Sequence, residues 1–522
     1  TFIMGETNLN TSQKQQGRKS IVVIVGFMIF AQFFGAGNLI FPPFLGFVGG
    51  SKWIIGFIFF FIFDAVFGIM GLAASTKFPK VEIGAYYRPG RKFMLIFAAI
   101  GVFITVGFVV TPRAALTSYE VFLRPILAGG FDKLEPQTGI QAAAIVFLLV
   151  YMGLATLCAI RPTKVVDIMG KFLTPVLLVI LVVVVIVGLA TMSSTGVRDE
   201  AYATSSPSLV AFGVAQGLQT FDGPTGTLIA IIIIVNLVSK GITKSSEQTK
   251  SIIKSGFVAA ICLAVIYLGL GLLGAFYSND ETLMTMFQEN GGIDQTFLLN
   301  YILSKTLGLG GTIIFGLAIL LATFTTSLGC LSLGAEFYRS MSGDKIKYKQ
   351  GVFAFAILAF IVGLICSTAP SGVQVLLNWA LPFLLVSAPI TISLIILNMF
   401  NNQIKNDNVY RGAAIAAGIW GFASGLAYFL AFTIGDGALD AMNVYGSGWY
   451  ASFFFGKWNV IYAWTGDLGY IIPAAVGAII GAFVKKWGYA ERPYLREHAG
   501  DEDFDWAALQ AKKAAAAAGP AQ

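Results

Sequence analysis

Phe33-Phe34-Gly35-Ala36-Gly37-Asn38-Leu39-Ile40-Phe41-Pro42-Pro43 lies in the middle of the first long apolar segment, and it makes a poor helix interior. Gly35 and Gly37 each disfavour helix by about 1 kcal/mol relative to Ala, and the Asn38 side chain offers the backbone local hydrogen bonds instead. The segment is therefore expected to unwind there. Unwound backbone is not tolerated against lipid, where every N–H and C=O needs a partner within the protein, and it survives only where it lines an enclosed cavity. The stretch thus reads as a binding site for a small polar solute or ion at membrane depth. The competing reading is that the glycines let two helices pack closely.

Composition supports the membrane setting. Of 522 residues, 56% are hydrophobic, 45 are Phe and only 12% are charged, against roughly 25% charged in soluble domains. Mean hydropathy is +0.78. At about 20 apolar residues per crossing, twelve spans are read: 21–47, 53–75, 93–121, 140–160, 165–191, 208–238, 252–277, 311–338, 351–367, 372–398, 410–433 and 459–484. The expected class is an all-α polytopic membrane protein. Basic residues alternate from loop to loop: Lys14, Arg18 and Lys19, then Lys77, Lys80, Arg88, Arg91 and Lys92, then Arg161 and Lys164, and so on to Lys485, Lys486, Arg492 and Arg496. The positive-inside rule puts these loops and both termini in the cytoplasm. The intervening loops carry acids, including Asp280, Glu281, Glu289 and Asp294.

The net charge of +7 is dispersed among short loops, which argues against a nucleic-acid surface. Residues 1–20 read as a cytoplasmic tail, and the first span is too long for a signal h-region. Residues 487–522 read as a second tail, whose Ala-rich end looks appended. Within the outer loop 279–310, Phe297 to Leu303 has a helical apolar pattern that suits a partial lid. The aromatic loop 436–465, with Trp449, Tyr450 and Trp458, suits anchoring at the interface. The four cysteines have no metal-type spacing.

A second break falls in span six, at Gly213-Val214-Ala215-Gln216-Gly217-Leu218-Gln219-Thr220-Phe221-Asp222-Gly223-Pro224-Thr225-Gly226. Spans one and six lie five apart, so they run in opposite directions. That spacing predicts an inverted repeat, with spans 1–5 at 21–191, spans 6–10 at 208–398, and spans 11 and 12 added at 410–486. Paired discontinuous helices are the sequence mark of a transporter site.

With Thr111-Pro112-Arg113-Ala114-Ala115-Leu116-Thr117-Ser118-Tyr119-Glu120 and Thr325-Thr326-Ser327-Leu328-Gly329, the two breaks make the chain resemble the BrnQ-type branched-chain amino acid:cation symporters over roughly residues 20–490. The span-six run departs most from that pattern, with Gly223-Pro224-Thr225 following Asp222. The resemblance implies a LeuT-type five-plus-five fold in a bacterial plasma membrane, importing leucine, isoleucine and valine with sodium by alternating access.

Candidate residues follow. Backbone N–H groups of Gly35, Ala36 and Gly37, next to Asn38, are expected to hold the substrate carboxylate, and carbonyls near Gly217 and Gln219 its ammonium. Phe33, Phe108 and Phe221 are candidates for the apolar pocket. The Thr325 and Thr326 hydroxyls, with the Ala322 carbonyl one turn earlier, can converge on a hard cation, although such hydroxyls also bond to their own helix. In transporters of similar fold such a set pairs with carbonyls before the first break, here Ala31 and Phe34. Four charges fall within spans, each costing about 2.5–3.5 kcal/mol at a helix centre on insertion scales. Asp222, at the second break, is the strongest candidate; Arg113 suits a gate or a carboxylate partner, Asp64 a gate or a bundle hydrogen bond, and Glu120 a solvated span end. The alternatives are proton coupling through Asp222 or Asp64, an ion channel, for which no filter motif is found, and an enzyme, for which no nucleophile–base pair is found.

Overall fold

The computed structural model describes residues 11–76, 85–127, 138–160, 174–191, 196–201, 208–289, 292–369, 371–401, 403–434 and 466–484. The aromatic loop 436–465, the basic residues Lys77, Lys80, Arg161 and Lys164, and both terminal tails as far as residues 10 and 485 lie outside the described residues. Every regular element among the described residues is helical. Seven helical stretches there are long and apolar enough to cross a bilayer, including Ser245–Phe276, Gly310–Met341 and Gly372–Met399, and a bent pair between Leu209 and Ser239 makes an eighth. Shorter apolar helices cover Ile21–Phe33, Pro175–Thr191 and Leu468–Phe483. Large apolar side chains such as Leu157, Phe257 and Ile419 face outward, as a lipid-facing surface requires.

Both expected breaks are present. The helix Thr11–Phe33 stops at the glycine stretch, and Ala36–Gly49 starts after two residues. The helix Leu209–Gln219 stops before Phe221, whose left-handed backbone (φ 68°, ψ 10°) precedes Asp222–Ser239. A non-glycine residue in that region is uncommon and strained by about 1–3 kcal/mol, and here its side chain is buried. Pro224 does not itself break the chain; it lies in the first turn of the following helix, where a missing N–H is harmless.

Glycines elsewhere seat the broken helices against their neighbours. A Cβ on Gly274 would lie 2.0 Å from the Pro43 carbonyl oxygen, so Ser245–Phe276 and Ala36–Gly49 touch backbone to backbone. A Cβ on Gly213 would lie 2.1 Å from the Gly56 carbonyl, and one on Gly226 2.3 Å from that of Gly68. The second broken helix therefore packs on Trp53–Phe61 and Phe67–Ser75 by close small-residue contact.

The 279–310 loop carries the helix Glu281–Glu289, and a second helix begins at Gln295 and kinks at Gly308 (φ 62°, ψ −171°). Leu298, Leu299, Ile302 and Leu303 are fully buried, so the apolar pattern there forms a packed helix. Arg88, counted above with the loop charges, is instead 3% exposed: its Nε donates to Asp407 at 2.5 Å and its guanidinium lies 4.0 Å above the Tyr410 ring. It fastens the turn before Arg91 to the helix Asp407–Ile434, and it weighs less as a topology signal than an exposed charge would.

The backbone contact at Gly274 gives a stability prediction. Gly274→Val should lower stability by about 1–3 kcal/mol, the usual cost of overpacking, read as a fall in melting temperature of the detergent-solubilised protein. An unchanged melting temperature would show that this contact is loose.

Candidate functional site at the two helix breaks

Asn38 joins the breaks. Gly35 ends its helix with N–H donations to the Phe33 carbonyl at 2.9 Å and to Asn38 Oδ1 at 3.2 Å. That second bond orients the amide, because it turns Oδ1 toward Gly35 and leaves Nδ2 facing the other way. Nδ2 donates to Asp64 Oδ1 at 2.7 Å and to Asp222 Oδ2 at 3.0 Å, and it lies 2.7 Å from the Tyr267 hydroxyl. All four side chains are buried. One amide at the first break thus holds a carboxylate from the π-helical turn Ile62–Val66 and another from the second break. Among the described residues, Asp64 Oδ2 has no hydrogen-bond partner.

Arg113 supplies the positive charge. Its Nη1 donates to the Gln219 carbonyl at 2.6 Å and Nη2 to the Thr220 carbonyl at 3.1 Å, where the helix Leu209–Gln219 exposes its last carbonyls. A cation suits a helix C-terminus for this reason. The same guanidinium borders the first break, since a Cβ on Gly37 would come within 3.1 Å of Nη2. A guanidinium, a neutral amide and two carboxylates therefore converge where both helices are interrupted.

Several expected roles change. The Gln219 carbonyl accepts from Arg113 and the Gly217 carbonyl from the Thr220 hydroxyl at 2.7 Å, so each already has one lone pair engaged. A Cβ on Gly217 would lie 2.7 Å from the Phe60 carbonyl, which makes that glycine a packing residue. Phe33 and Phe221 are buried, and Phe33 lies against Gly68 near the Asp222 carbonyl. Phe108 is 36% exposed and lies against the outward-facing Phe103 with the rings tilted, so it does not join them. Glu120 is not solvated; it is 4% exposed and hydrogen-bonded. The sequence ranks Asp222 above Asp64, whereas the geometry sets both on one nitrogen. Tyr267 was missed, because a lone tyrosine in an apolar helix has no pattern.

Of the hydroxyl set, Thr326 reaches the first break, while Thr325 bonds to its own helix. Thr325 Oγ1 lies 2.7 Å from the Ala322 carbonyl oxygen, and Thr326 Oγ1 lies 3.2 Å from it and 3.5 Å from that of Phe34. The Gly35 N–H turns to Phe33, so the Ala31 carbonyl loses its usual partner four residues on.

An all-helical membrane bundle whose two interrupted helices meet at a buried polar cluster is a transporter rather than an enzyme. The sequence profile described as branched-chain amino acid transport protein matches residues 18–487, and the chain belongs to that family. It is 29% identical over 378 residues to a protein of Staphylococcus aureus strain USA300 provisionally named a branched-chain amino acid carrier, covering 72% of this chain and 80% of that one. A relative from strain MRSA252, named likewise, is 28% identical over 377 residues, covering 72% and 80%. Among solved structures, a manganese transporter of Eremococcus coleocola is similar at a TM-score of 0.54 and 14% identity, covering 91% of this chain and 97% of that one. A nucleobase-cation-symport-1 family transporter, solved closed with bromovinylhydantoin bound, is similar at 0.50 and 14%, covering 91% and 95%. These likenesses show the fold. The chain is an integral membrane protein whose named relatives are bacterial.

Two predictions come from this geometry. Gly37→Val should abolish leucine uptake while the protein still folds, because its Cβ would press on the Phe41 ring edge at 2.9 Å and on Arg113, both movable groups. Loss of folded protein in step with uptake would make Gly37 a packing residue. Asp64→Asn and Asp222→Asn should each cut uptake at least tenfold, since both carboxylates share the Asn38 amide. Normal uptake by either variant would remove that residue from the site.

Proposed function

We propose that the protein imports leucine, isoleucine and valine by sodium-coupled symport through alternating access. Family membership supports the substrate class. The observation that carries the sodium reading is that the Thr326 hydroxyl, beside Thr325 and the Ala322 carbonyl of its own helix, lies 3.5 Å from the Phe34 carbonyl at the first break. Oxygen donors converging from two elements suit a hard cation. The Ala31 carbonyl is the natural fifth.

For the amino acid, the Gly35 N–H is engaged by Asn38, so the first-turn N–H groups of Ala36 and Gly37, beside Arg113, would receive the carboxylate. Asp222 would receive the ammonium. Twelve spans, an inverted repeat of 21–191 and 208–398, and cytoplasmic termini complete the mechanism as proposed. Sodium bound between the first break and Thr326 would favour the conformation that admits leucine, and linkage makes that coupling reciprocal, typically 1–3 kcal/mol.

One observation favours a second reading. Asp64 and Asp222 face one another across a single amide, and two buried carboxylates beside the one Arg113 guanidinium call for a second positive charge, which a proton could supply. Uptake into proteoliposomes decides between them. Thr325→Val combined with Thr326→Val keeps volume but deletes two ligands, so half-saturating sodium should rise at least tenfold, about 1.4 kcal/mol. Leucine affinity should fall at fixed sodium and recover as sodium is raised. Full uptake in sodium-free buffer under an inward proton gradient would overturn the sodium reading.

A further inference from the structure

Glu120 takes no part in the site above. On the π-helical turn Tyr119–Leu123, it accepts from Thr296 Oγ1 at 2.7 Å and from the Val373 N–H at 3.1 Å. Asp294, beside it, accepts from the Phe297 N–H at 2.7 Å and from the Ser371 hydroxyl. These two carboxylates and Arg124 line a cavity of about 340 Å³. That is within the range of small-ligand pockets, roughly 300–1,000 Å³.

The polar wall is short of one donor and leaves one acceptor unused. Thr296 Oγ1 is 2.7 Å from Glu120 Oε2 and 2.6 Å from Asp294 Oδ1, yet a hydroxyl has a single proton for both. Asn300, which also lines the cavity and is 3% exposed, gives its Nδ2 to the Glu120 carbonyl at 3.0 Å, and its Oδ1 has no partner among the described residues. A primary ammonium, with three donors, answers both. Arg124 adds a positive charge to the lining. Met286, Ile293 and Phe297 supply an apolar wall. A bare metal ion would meet Arg124 as a like charge and leave that wall unused.

We propose that this cavity is a second binding site for an aliphatic α-amino acid, separate from the helix breaks. Its ammonium lies between Glu120, Asp294 and Asn300, its carboxylate faces Arg124, and its side chain lies on Ile293 and Met286. The identity of the ligand rests on the transport reading above. In that topology the cavity opens from the outer loops, so it holds cargo before entry.

Glu120 and Asp294 also hold helix ends, so their substitution would confuse folding with binding. Gly292 is the better probe: it lines the cavity, and a Cβ there meets nothing within 4 Å. Equilibrium binding of labelled leucine to the full chain in nanodiscs at saturating sodium gives the test. Wild type should bind two leucines per chain, and Gly292→Trp and Gly37→Val one each. One leucine in wild type, lost in Gly37→Val and kept in Gly292→Trp, would overturn the second site and leave the transport reading standing. One leucine lost only in Gly292→Trp would support the outer site and overturn the assignment at the breaks, and no leucine in wild type would overturn both.

Discussion

The arrangement depends on one buried amide. Interrupting a helix at membrane depth strands backbone groups that lipid cannot satisfy, so the break at Gly35 needs partners from within the protein. Asn38 provides one, through Oδ1 to the Gly35 N–H, and the same side chain reaches Asp64 and Asp222 through Nδ2. Each end of the amide constrains the other. The first break is held open by a residue whose remaining hydrogen-bonding capacity is spent on Asp64 and on the second break.

Arg113 makes the complementary connection. It comes from the helix Thr111–Ser118, which packs on Gln295–Met341, and it holds the last carbonyls of Leu209–Gln219. The broken helices are packed differently, through glycine contacts to Ser245–Phe276 and to the 53–75 helices. If alternating access moves the broken helices together with the helices packed on those glycines, they move as one unit. The two bonds from Arg113 would then span the dividing surface, and opening the site would require breaking them.

Much of this was legible in the residues alone. The glycines at 35 and 37 and the run from Gly213 to Gly226 located both breaks, because residues that disfavour helix are costly inside an apolar span unless the helix stops at them. Partnerships were harder to read. Asp64 looked like a generic bundle hydrogen bond because its place in a π-helical turn, aimed at residues far away in the chain, leaves no local trace. Gly217 looked functional because packing glycines and ligand-approaching glycines are the same letter, and the nearness of Phe60 is a tertiary fact. Phe108 failed for the opposite reason, since lipid-facing and pocket-facing phenylalanines are indistinguishable in so aromatic a chain. Arg88 shows the limit of charge counting: a buried ion pair with Asp407 scores the same as a solvated loop arginine.

The central claim is that the two helix breaks and the Asn38 amide between them form the amino-acid site. A high-resolution structure of the protein with leucine and sodium bound tests it most directly. The account predicts the leucine carboxylate within hydrogen-bond distance of the Ala36 and Gly37 N–H groups and its ammonium on Asp222, with Asn38 still bridging the carboxylates. Leucine bound with neither end at a break, in a structure where residues 35–38 and 219–222 are unchanged, would contradict it.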